Sequence, residues 1–262
     1  MKTRLDAELV RRGLARSRDH AADLIESRMV LVTGIPASKP ASQVDAETSI
    51  VLQGERNDFV SRGGHKLAGA LDHFSEITLE GKRALDAGAS TGGFTDVLLK
   101  RGVKEVVAVD VGYGQLAWEI QQDSRVTILD RTNVRHLTLE QIGEPAEIIV
   151  SDLSFISLTL VLPALVGISK SSADFVVMVK PQFEVGREKL GAGGVVRDPA
   201  LRKAAVQDVA DCAYDMGVGC LGVVASPLPG PAGNVEYFLW LKRGATELSQ
   251  AALDQAVELG PQ

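Results

Sequence analysis

The 262-residue chain has few of the residues that mark several functional classes. It contains two cysteines, Cys212 and Cys220, which are too few for a disulfide framework or a zinc site. We therefore expect no metal centre and a reducing, cytoplasmic environment. The glycine-rich turn at residues 88–93 has neither the G-x-G-x-x-G spacing of a nicotinamide dinucleotide site nor the G-K-[ST] of a P-loop, so both sites are excluded.

Long apolar runs and a surplus of positive charge are also missing. The longest uncharged stretch, residues 153–169, contains three hydroxyl side chains before Ser169 and a proline, and it predicts a buried helix rather than a membrane span. The polar N-terminus does not have the apolar segment of a secretory signal. With 28 Lys and Arg against 34 Asp and Glu, the net charge is −6. Any nucleic-acid binding must therefore come from local basic patches.

One stretch organises the rest of the chain, namely L-D-A-G-A-S-T-G-G-F-T-D at residues 85–96. An apolar run ends at Asp86, glycines follow, and a helical pattern opens at Phe94. Glycines let a ligand approach the backbone, and a helix N-terminus presents free amide groups. Two later apolar runs end at Asp110 and Asp130. Asp110 comes about twenty residues after the glycine-rich turn, where an acid would bind ribose hydroxyls.

Three successive strand patterns that each end in an acid, with this turn after the first, resemble the S-adenosylmethionine site of a Rossmann-like methyltransferase. The resemblance implies that the turn holds the methionine end of the cofactor, Asp110 the ribose and Asp130 the adenine side. One such acid alone would more often cap a helix or turn, but three in succession favour a ligand. The residues predicted to bind the cofactor are Asp86, Gly88, Ser90, Gly92, Gly93, Phe94, Asp110, Asp130 and Asp152.

The first 53 residues predict a separate small domain. Helical periodicity is interrupted at Gly13, and Ser17 is placed to cap a second helix. Strands are predicted around residues 29–35 and 48–52. Over residues 1–40, eight Lys and Arg stand against five Asp and Glu, a local charge of +3.

The order R-L-D-x-x-L-x-x-x-G-L-x-x-S-R-x-x-A-x-x-L-I, from Arg4 to Ile25, resembles the S4 RNA-binding domain. That family usually has glycine in the turn after the second helix, where this chain has Arg28. Either the turn differs, or Arg28 adds a phosphate contact. Each basic residue alone could belong to a solvated helix face, but arginine commonly binds phosphate in RNA complexes. The predicted RNA-binding residues are Arg4, Arg11, Arg12, Arg16, Ser17, Arg18, Arg28, Lys39 and Arg62.

After a predicted linker at residues 54–60, residues 61–262 predict an α/β domain. Seven strand patterns occur, with helical or loop segments between most of them, at 83–86, 105–110, 126–129, 147–151, 174–180, 218–225 and 234–242. This alternation predicts a mostly parallel, doubly wound sheet. The proline-rich loop at 226–234 has no room for a helix, so the last strand is expected to be antiparallel. A glycine-rich loop at 191–194 either closes over RNA or faces solvent.

Polar residues follow several of these strands, at the edge where ligands bind. Asp152 and Lys180 do so. Glu236 lies near the start of the last strand, which reaches the same edge if that strand runs antiparallel to the others. A lysine that closes an apolar run is costly unless it is paired, and both acids are candidate partners for Lys180. Lys66 lies earlier, at the predicted start of a helix. Together, the four residues resemble the catalytic tetrad of FtsJ-like ribose 2′-O-methyltransferases.

The whole chain resembles the TlyA family, in which an S4 domain precedes an FtsJ-like domain. The matching segments are S-R-G-G-H-K-L, L-D-A-G-A-S-T-G-G-F-T-D, D-V-G-Y-G-Q-L, S-D-L-S-F-I-S-L, V-K-P-Q-F-E-V-G and, with one extra alanine, P-A-G-N-V-E-Y-F. The resemblance implies a small α+β S4 RNA-binding domain followed by a Rossmann-like class I methyltransferase domain. Its seven-stranded, mostly parallel sheet would have an antiparallel last strand.

The family resemblance also implies an activity. S-adenosylmethionine would donate a methyl group to the ribose 2′-OH of cytidine in 16S and/or 23S ribosomal RNA, with ribosomal RNA or 30S and 50S subunits as partners. Sensitivity to cyclic-peptide ribosome antibiotics such as capreomycin would be affected. Lys180 would contact the hydroxyl and Asp152 would orient Lys180 and the donor methyl, while Lys66 and Glu236 would position the ribose and the lysine.

Three alternatives stay open from the sequence. They are a small-molecule methyltransferase, a membrane-active hemolysin (the older description of this family), and an RNA-binding protein whose methyltransferase domain is inactive. The basic N-terminal domain argues against the first, and the intact set of four polar residues argues against the last. Against the membrane-active hemolysin, the sequence has neither a membrane-length apolar run nor a strongly basic amphipathic helix. We expect a monomer without a membrane partner.

Overall fold

The computed structural model describes residues 2–15, 17–45, 47–52, 59–230 and 232–260. The chain divides into two compact units, Met1–Asp58 and Phe59–Gln262. Of the linker predicted at residues 54–60, only Phe59 and Val60 are described, and both pack against the core of the second unit. Arg16, a predicted RNA-binding residue, lies outside the described residues.

The first unit is a small α+β fold. Its elements are β1 (Thr3–Arg4), α1 (Leu5–Arg11), α2 (Arg18–Glu26), β2 (Val30–Val32), β3 (Ile35–Pro36), β4 (Gln43–Val44) and β5 (Ile50–Leu52). β2 pairs antiparallel with β3 and β5, and β1 pairs with β4. The core joins the apolar faces of both helices, including Leu9 and Ile25, to Val30. The short β1–β4 ladder was not predicted, because two residues carry no alternation pattern.

The turns of this unit agree with the local sequence signals. Gly13 has φ +70°, a left-handed conformation that glycine adopts readily. Ser17 caps α2, since its side chain accepts a hydrogen bond from the His20 amide at 3.1 Å. Arg28, which follows the end of α2, has φ +57°. An arginine therefore occupies a conformation that favours glycine, and the turn itself keeps its left-handed geometry.

The second unit is built on one sheet. Its strands are β6 (Arg83–Ala87), β7 (Glu105–Val109), β8 (Val126–Leu129), β9 (Ala146–Ser151), β10 (Ser169–Val179), β11 (Val218–Ala225) and β12 (Tyr237–Arg243). Within the described part of the chain they form a seven-stranded sheet in the order β11-β12-β10-β9-β6-β7-β8. β12 pairs antiparallel with both neighbours, and the pairs from β10 to β8 are parallel. The predicted fold class is confirmed.

Helices cover both faces of this sheet. They are α3 (Arg62–His73), α4 (Gly93–Lys100), α5 (Trp118–Gln121), α6 (Leu139–Ile142), α7 (Leu162–Gly167), α8 (Pro181–Glu184), α9 (Pro199–Asp215) and α10 (Gln250–Leu259). One face packs against apolar residues of α3, α4 and α5. The opposite face packs against α7, α9 and α10. In the portion of the chain that is described, no helix is both long and apolar enough to cross a bilayer.

Two local predictions differ from the structure. The helix predicted to start at Lys66 begins earlier, since α3 starts at Arg62 and includes Gly63 and Gly64. A Cβ at Gly64 would collide with the side chain of Phe59, so close packing explains the glycine. The buried helix predicted over 153–169 is shorter: a 3-10 helix covers Leu158–Leu160, α7 follows, and β10 begins already at Ser169.

Candidate active site

Strand alternation directs Asp152 and Lys180 to the same face of the sheet. Each lies two residues beyond a core residue of the α3–α4 face, Val150 on β9 and Met178 on β10. Side chains two residues apart on an extended strand share a face. Because β9 and β10 run parallel, both polar side chains emerge at the carboxyl edge of the sheet. This is the edge at which open α/β sheets bind ligands.

The antiparallel strand brings Glu236 to the same place. Val179 is paired with Tyr237, so the next position of this register sets Lys180 opposite Glu236. Glu236 lies two residues before Phe238, which belongs to the α3–α4 core. An acid that precedes an antiparallel strand thus lies at the carboxyl edge of the parallel strands, as predicted.

Two ion pairs connect the four predicted catalytic residues. Lys66 Nζ donates to Glu236 Oε2 at 2.5 Å. Lys180 Nζ forms an ion pair with Asp152 Oδ1 at 2.5 Å, without hydrogen-bond geometry at that oxygen. Lys180 Nζ also donates to Ser154 Oγ at 2.9 Å. The structure therefore assigns each lysine one carboxylate, and Asp152 rather than Glu236 is the partner of Lys180.

The two pairs differ in their access to solvent. The side chains of Lys66 and Glu236 are 9% and 1% exposed, whereas those of Lys180 and Asp152 are 10% and 23% exposed. Buried charges are tolerated when they are paired and hydrogen-bonded. The Lys66–Glu236 pair is thus a support beneath the site. The Asp152–Lys180 pair lies where a substrate hydroxyl could reach it.

The glycine-rich turn follows β6 beside these pairs. Gly88 has φ +90°, and a Cβ there would lie 2.8 Å from the backbone oxygen of Asp152. Gly92 has φ +91° and caps α4 in the left-handed conformation. A Cβ at Gly93 would meet Ser61 and the amide of Gly64 at the start of α3. These glycines permit a close approach between the turn, the Asp152 loop and α3.

Asp86 lies beneath the turn and is fully buried. Its Oδ2 accepts a hydrogen bond from Thr95 Oγ1 at 2.6 Å. Among the described residues, Oδ1 has no hydrogen-bond partner. Burial raises the pKa of Asp86 to about 7, the Thr95 hydrogen bond opposes the shift, and the negative charges of Asp152 and Asp110 add to it. A buried carboxyl with one unsatisfied oxygen is suited to bind a cationic group.

Asp110 and Asp130 shape the loop after β7. Asp110 accepts hydrogen bonds from the amides of Ser90 at 2.8 Å and Gly112 at 2.7 Å. Asp130 accepts from the amide of Gly114 at 2.9 Å. Both acids therefore stabilise turns, as single acids often do. A carboxylate has about four lone-pair sites, so both acids keep acceptor capacity for ligand hydroxyl or amino groups.

The remaining cofactor prediction, Phe94, lies in the core. Its side chain is buried against Phe238, with ring centroids 6.0 Å apart. Only the Phe94 backbone, in the first turn of α4, is placed to meet a ligand. Phe94 thus supports the turn by packing.

Four of the predicted RNA-binding arginines of the first unit are held by two buried acids of α1. Asp6 pairs with Arg4 and Arg18, and Glu8 pairs with Arg11 and Arg12. The hydrogen bonds from the two arginines lower the pKa of Glu8 to about 2. The arginine side chains that remain well exposed are those of Arg4, Arg11 and Arg18. They can bind phosphate while the acids fix their orientation.

Arg12 has a different role from its neighbours. Its side chain is only 21% exposed. It donates to the carbonyl oxygens of Thr48 at 2.8 Å and Asp45 at 3.1 Å, which ties α1 to the segment before β5. Arg12 is therefore a structural link of this unit. The isolated sequence could not show this, because the partners are backbone oxygens more than thirty residues away.

Other basic predictions lie on the surface. Arg28 and Lys39 are exposed in the first unit, and Arg62 is exposed at the first position of α3. Ser17 is exposed as well, but its hydroxyl oxygen caps α2. The positive charge of Arg62 thus lies in the same helix as Lys66.

Sequence reasoning missed two neighbours of the site. Ser154 accepts a hydrogen bond from Lys180. Phe155 is 91% exposed and has φ +64°, and its ring lies 5.2 Å from that of Phe183. A bulky residue with positive φ is an outlier that marks turns or functional sites. The segment S-D-L-S-F carried the signal, since an aromatic residue directly follows the polar end of a buried strand.

Known proteins match both units of this chain. The FtsJ-like methyltransferase family matches residues 59–243, and the S4 domain family matches residues 3–50. The 16S/23S rRNA (cytidine-2′-O)-methyltransferase TlyA of Mycobacterium tuberculosis is 57% identical over 98% of this chain and 96% of its own length. Hemolysin A of Brachyspira hyodysenteriae is 37% identical over 89% of this chain and 97% of its own. A solved structure from Streptococcus thermophilus, described as a hemolysin, has a TM-score of 0.79 and 36% identity, covering 98% of this chain and 94% of that one.

The fold and site thus define a class I methyltransferase domain of the FtsJ-like type, preceded by an S4 domain. The S4 match precedes the FtsJ-like match, in the order that the sequence motifs indicated. The chain belongs to the TlyA family of FtsJ-like methyltransferases.

Proposed function

We propose that this methyltransferase transfers a methyl group from S-adenosylmethionine to the ribose 2′-OH of cytidine in 16S and/or 23S ribosomal RNA. The observation that carries the proposal is the pairing of Lys180 with Asp152 and of Lys66 with Glu236 at the carboxyl edge of one sheet. Two lysines and two acids next to a glycine turn suit alkylation of a hydroxyl. The 57%-identical relative is named for this reaction on both ribosomal RNAs.

Two features of the chain fit S-adenosylmethionine. A Cβ at Gly88 would fill the space against Asp152, so the turn forms a cradle that only glycine leaves open. The buried Asp86 carboxyl has one unsatisfied oxygen among the described residues, which suits the cationic methionine end. Asp110 and Asp130 would bind the ribose and adenine sides. When bound, the cofactor supplies an electrophilic methyl group.

The chain's residues align and activate the acceptor. Lys180 contacts the 2′-OH, where it stabilises developing oxyanion character or takes the proton. Asp152 and Ser154 orient Lys180 through the contacts described above. Lys66 and Glu236 position the ribose and Lys180. Alignment alone can lower the barrier by several kcal/mol (about 7–11 in favourable cases).

Two surfaces serve the RNA. Arginines in the S4 domain bind phosphates, an interaction that is common in RNA recognition. Phe155 offers an exposed ring beside the site, and unstacked RNA bases stack on aromatic side chains. Methylation of the ribosome would alter its sensitivity to cyclic-peptide antibiotics such as capreomycin. The reaction would take place in the cytoplasm, where the ribosomal substrates are.

The test uses tritiated S-adenosylmethionine with unmodified 30S and 50S subunits. Wild type and Lys180→Ala are incubated in parallel, and the RNA is hydrolysed with alkali. We expect label in an alkali-resistant dinucleotide with wild type and none with the variant, because a 2′-O-methyl group blocks alkaline cleavage. Cofactor binding by the variant, measured by calorimetry, should persist. Near-normal turnover by Lys180→Ala would overturn the role of the lysine, and absence of label in any RNA would overturn the proposed substrate.

A further inference from the structure

Two loops that carry the proposed catalytic residues are joined at three levels. The first loop follows β9 and spans residues 152–158, and the second segment, residues 180–184, follows β10. At the near end Lys180 contacts Asp152 and Ser154. In the middle, the rings of Phe155 and Phe183 lie 5.2 Å apart.

The far end is held by Glu184, which the proposed mechanism does not use. Its Oε2 accepts a hydrogen bond from Ser157 Oγ at 2.5 Å, and its Oε1 accepts from the amide of Leu158 at 2.9 Å. Ser157 in turn accepts from the Thr159 amide at 3.2 Å and thereby caps the following 3-10 helix. Both oxygens of one carboxylate thus fix the point at which the 152–158 loop becomes helical.

Placing this carboxylate here has a cost. Burial raises the pKa of Glu184, and the nearby charge of Asp208 adds to the shift, against the two hydrogen bonds that favour ionisation. A partly buried acid persists when its hydrogen bonds compensate for the lost solvent. Both compensating hydrogen bonds come from the end of the 152–158 loop, from Ser157 and Leu158, and neither comes from a proposed catalytic residue.

The loop needs such support because it is strained. Phe155 has φ +64°, a conformation that costs about 1–3 kcal/mol for a non-glycine residue and persists only where surrounding contacts enforce it. The Lys180 contacts hold one side of Phe155, and Glu184 holds the other. Release of either side would let the strained residue relax and would move its neighbours.

We propose that Glu184 is a positioning residue that fixes the 152–158 loop, so that Asp152 and Ser154 stay on Lys180 and Phe155 stays exposed. The proposal rests on the proposed function for the roles of these three residues. Glu184 acts through Ser157 and Leu158 and does not touch the reacting groups.

The test compares Glu184→Ala, Glu184→Gln and Ser157→Ala with Glu188→Gln, a matched change at an exposed acid four residues on. We expect kcat for RNA methylation to fall by about tenfold to a hundredfold in Glu184→Ala, as for a small misplacement of catalytic groups. The kcat values of Glu184→Gln and Ser157→Ala should lie between those of wild type and Glu184→Ala, because each of these variants loses one hydrogen bond. The Kd of S-adenosylmethionine and the turnover of Glu188→Gln should stay within about twofold of wild type.

Two further measurements separate positioning from folding. Adding Ser157→Ala to Glu184→Ala should cost less than Ser157→Ala costs in wild type, because the Ser157–Glu184 hydrogen bond is common to both changes. Hydrogen exchange of the 153–158 amides should speed up in Glu184→Ala while the β9 and β10 amides keep their protection. This readout applies even if wild type methylates no RNA, an outcome that would sink the proposed function alone. Unchanged loop exchange, or unchanged kcat in all three variants of an active enzyme, would overturn the role of Glu184.

Discussion

Lys66 and Glu236 form an ion pair with an Nζ–Oε2 distance of 2.5 Å, although 170 positions separate them in the sequence. The pair joins α3, which precedes the sheet, to the residue before β12, its last strand in sequence. Glu236 is 1% exposed. The fold and the site therefore share this contact, and its removal affects both.

Glu236→Ala should destabilise the protein, since it leaves the Lys66 charge buried without a partner. Removal of one member of a buried pair costs about 3–5 kcal/mol of unfolding free energy. The double variant Lys66→Met/Glu236→Leu should recover most of that stability, because apolar pairs often replace buried ion pairs at little cost. Urea unfolding would measure both. A Glu236→Ala variant as stable as wild type would contradict the predicted burial cost, and an active double variant would contradict the positioning role.

Gly88→Ala should abolish cofactor binding. The new Cβ would approach the backbone oxygen of Asp152, which cannot move without displacing the site. Gly81→Ala is the matched control, because Gly81 also has positive φ but no atom of the described residues lies within 4 Å of the added carbon. Both variants should lose a similar amount of stability from backbone strain, about 1 kcal/mol or more. Calorimetry should show that only Gly88→Ala loses S-adenosylmethionine binding. Equal binding by both variants would show that the turn at Gly88 does not hold the cofactor.

Asp86 predicts a pH-dependent affinity for the cofactor. Its pKa of about 7 means that cation binding must release a proton below that pH. Affinity for S-adenosylmethionine should therefore rise with pH, by up to about tenfold per unit below pH 7, and level off above it. Calorimetry in buffers of different ionisation enthalpy would count the released protons. Asp86→Asn should flatten the profile, and an unchanged profile in that variant would assign the titration to another group.

The same Asp86 pKa has a consequence for stability. In the folded state the pKa of Asp86 lies above the ordinary aspartate value of 3.8, so the folded state holds this proton more tightly than the unfolded state. The contribution of Asp86 to stability is fully present below about pH 4 and is lost as pH rises towards 7. Asp86→Asn should remove that slope from urea unfolding measured without cofactor. If Asp86→Asn keeps the same dependence of stability on pH as wild type, the dependence does not come from Asp86.

Arg28→Gly should stabilise the first unit and weaken RNA binding. Glycine removes the left-handed strain at φ +57°, worth about 1 kcal/mol. If Arg28 contacts a phosphate, the slope of log affinity against log salt should fall by about one. Thr33→Gly is a fitting control, because Thr33 also has positive φ, +51°, but no charge. Filter binding should show a loss in the arginine variant only, and a loss in neither would exclude the phosphate contact.

Much of this architecture could be predicted from local pattern. The segments that end at Asp86 and at Asp110 are buried parallel strands, and the second reads as a continuous apolar segment from Val106 to Val109. The antiparallel β12 followed from the short loop before it. Position at the end of a strand was enough to bring Asp152, Lys180 and Glu236 to one edge, because the edge is set by topology rather than by contact details.

Partner choice could not be predicted in the same way. Both acids were candidates for Lys180, and only the register and the position of α3 assign Glu236 to Lys66. Arg12 carried the same charge pattern as Arg11, yet its partners are distant carbonyl groups. Ser154 had no signal of its own beyond its place in the segment S-D-L-S-F. Such contacts depend on the angle at which side chains leave the backbone, which one-dimensional periodicity does not encode.

The order of the strands has a consequence for the synthesis of the protein. β12 lies between β10 and β11, so the last strand to be translated is inserted into the interior of the sheet. Until residue 243 has left the ribosome, β11 has no neighbour that joins it to the rest of the sheet. The residue that pairs with Lys66 also arrives late. A nascent chain therefore has no complete site, and under the proposed function the enzyme cannot modify the ribosome that is still making it.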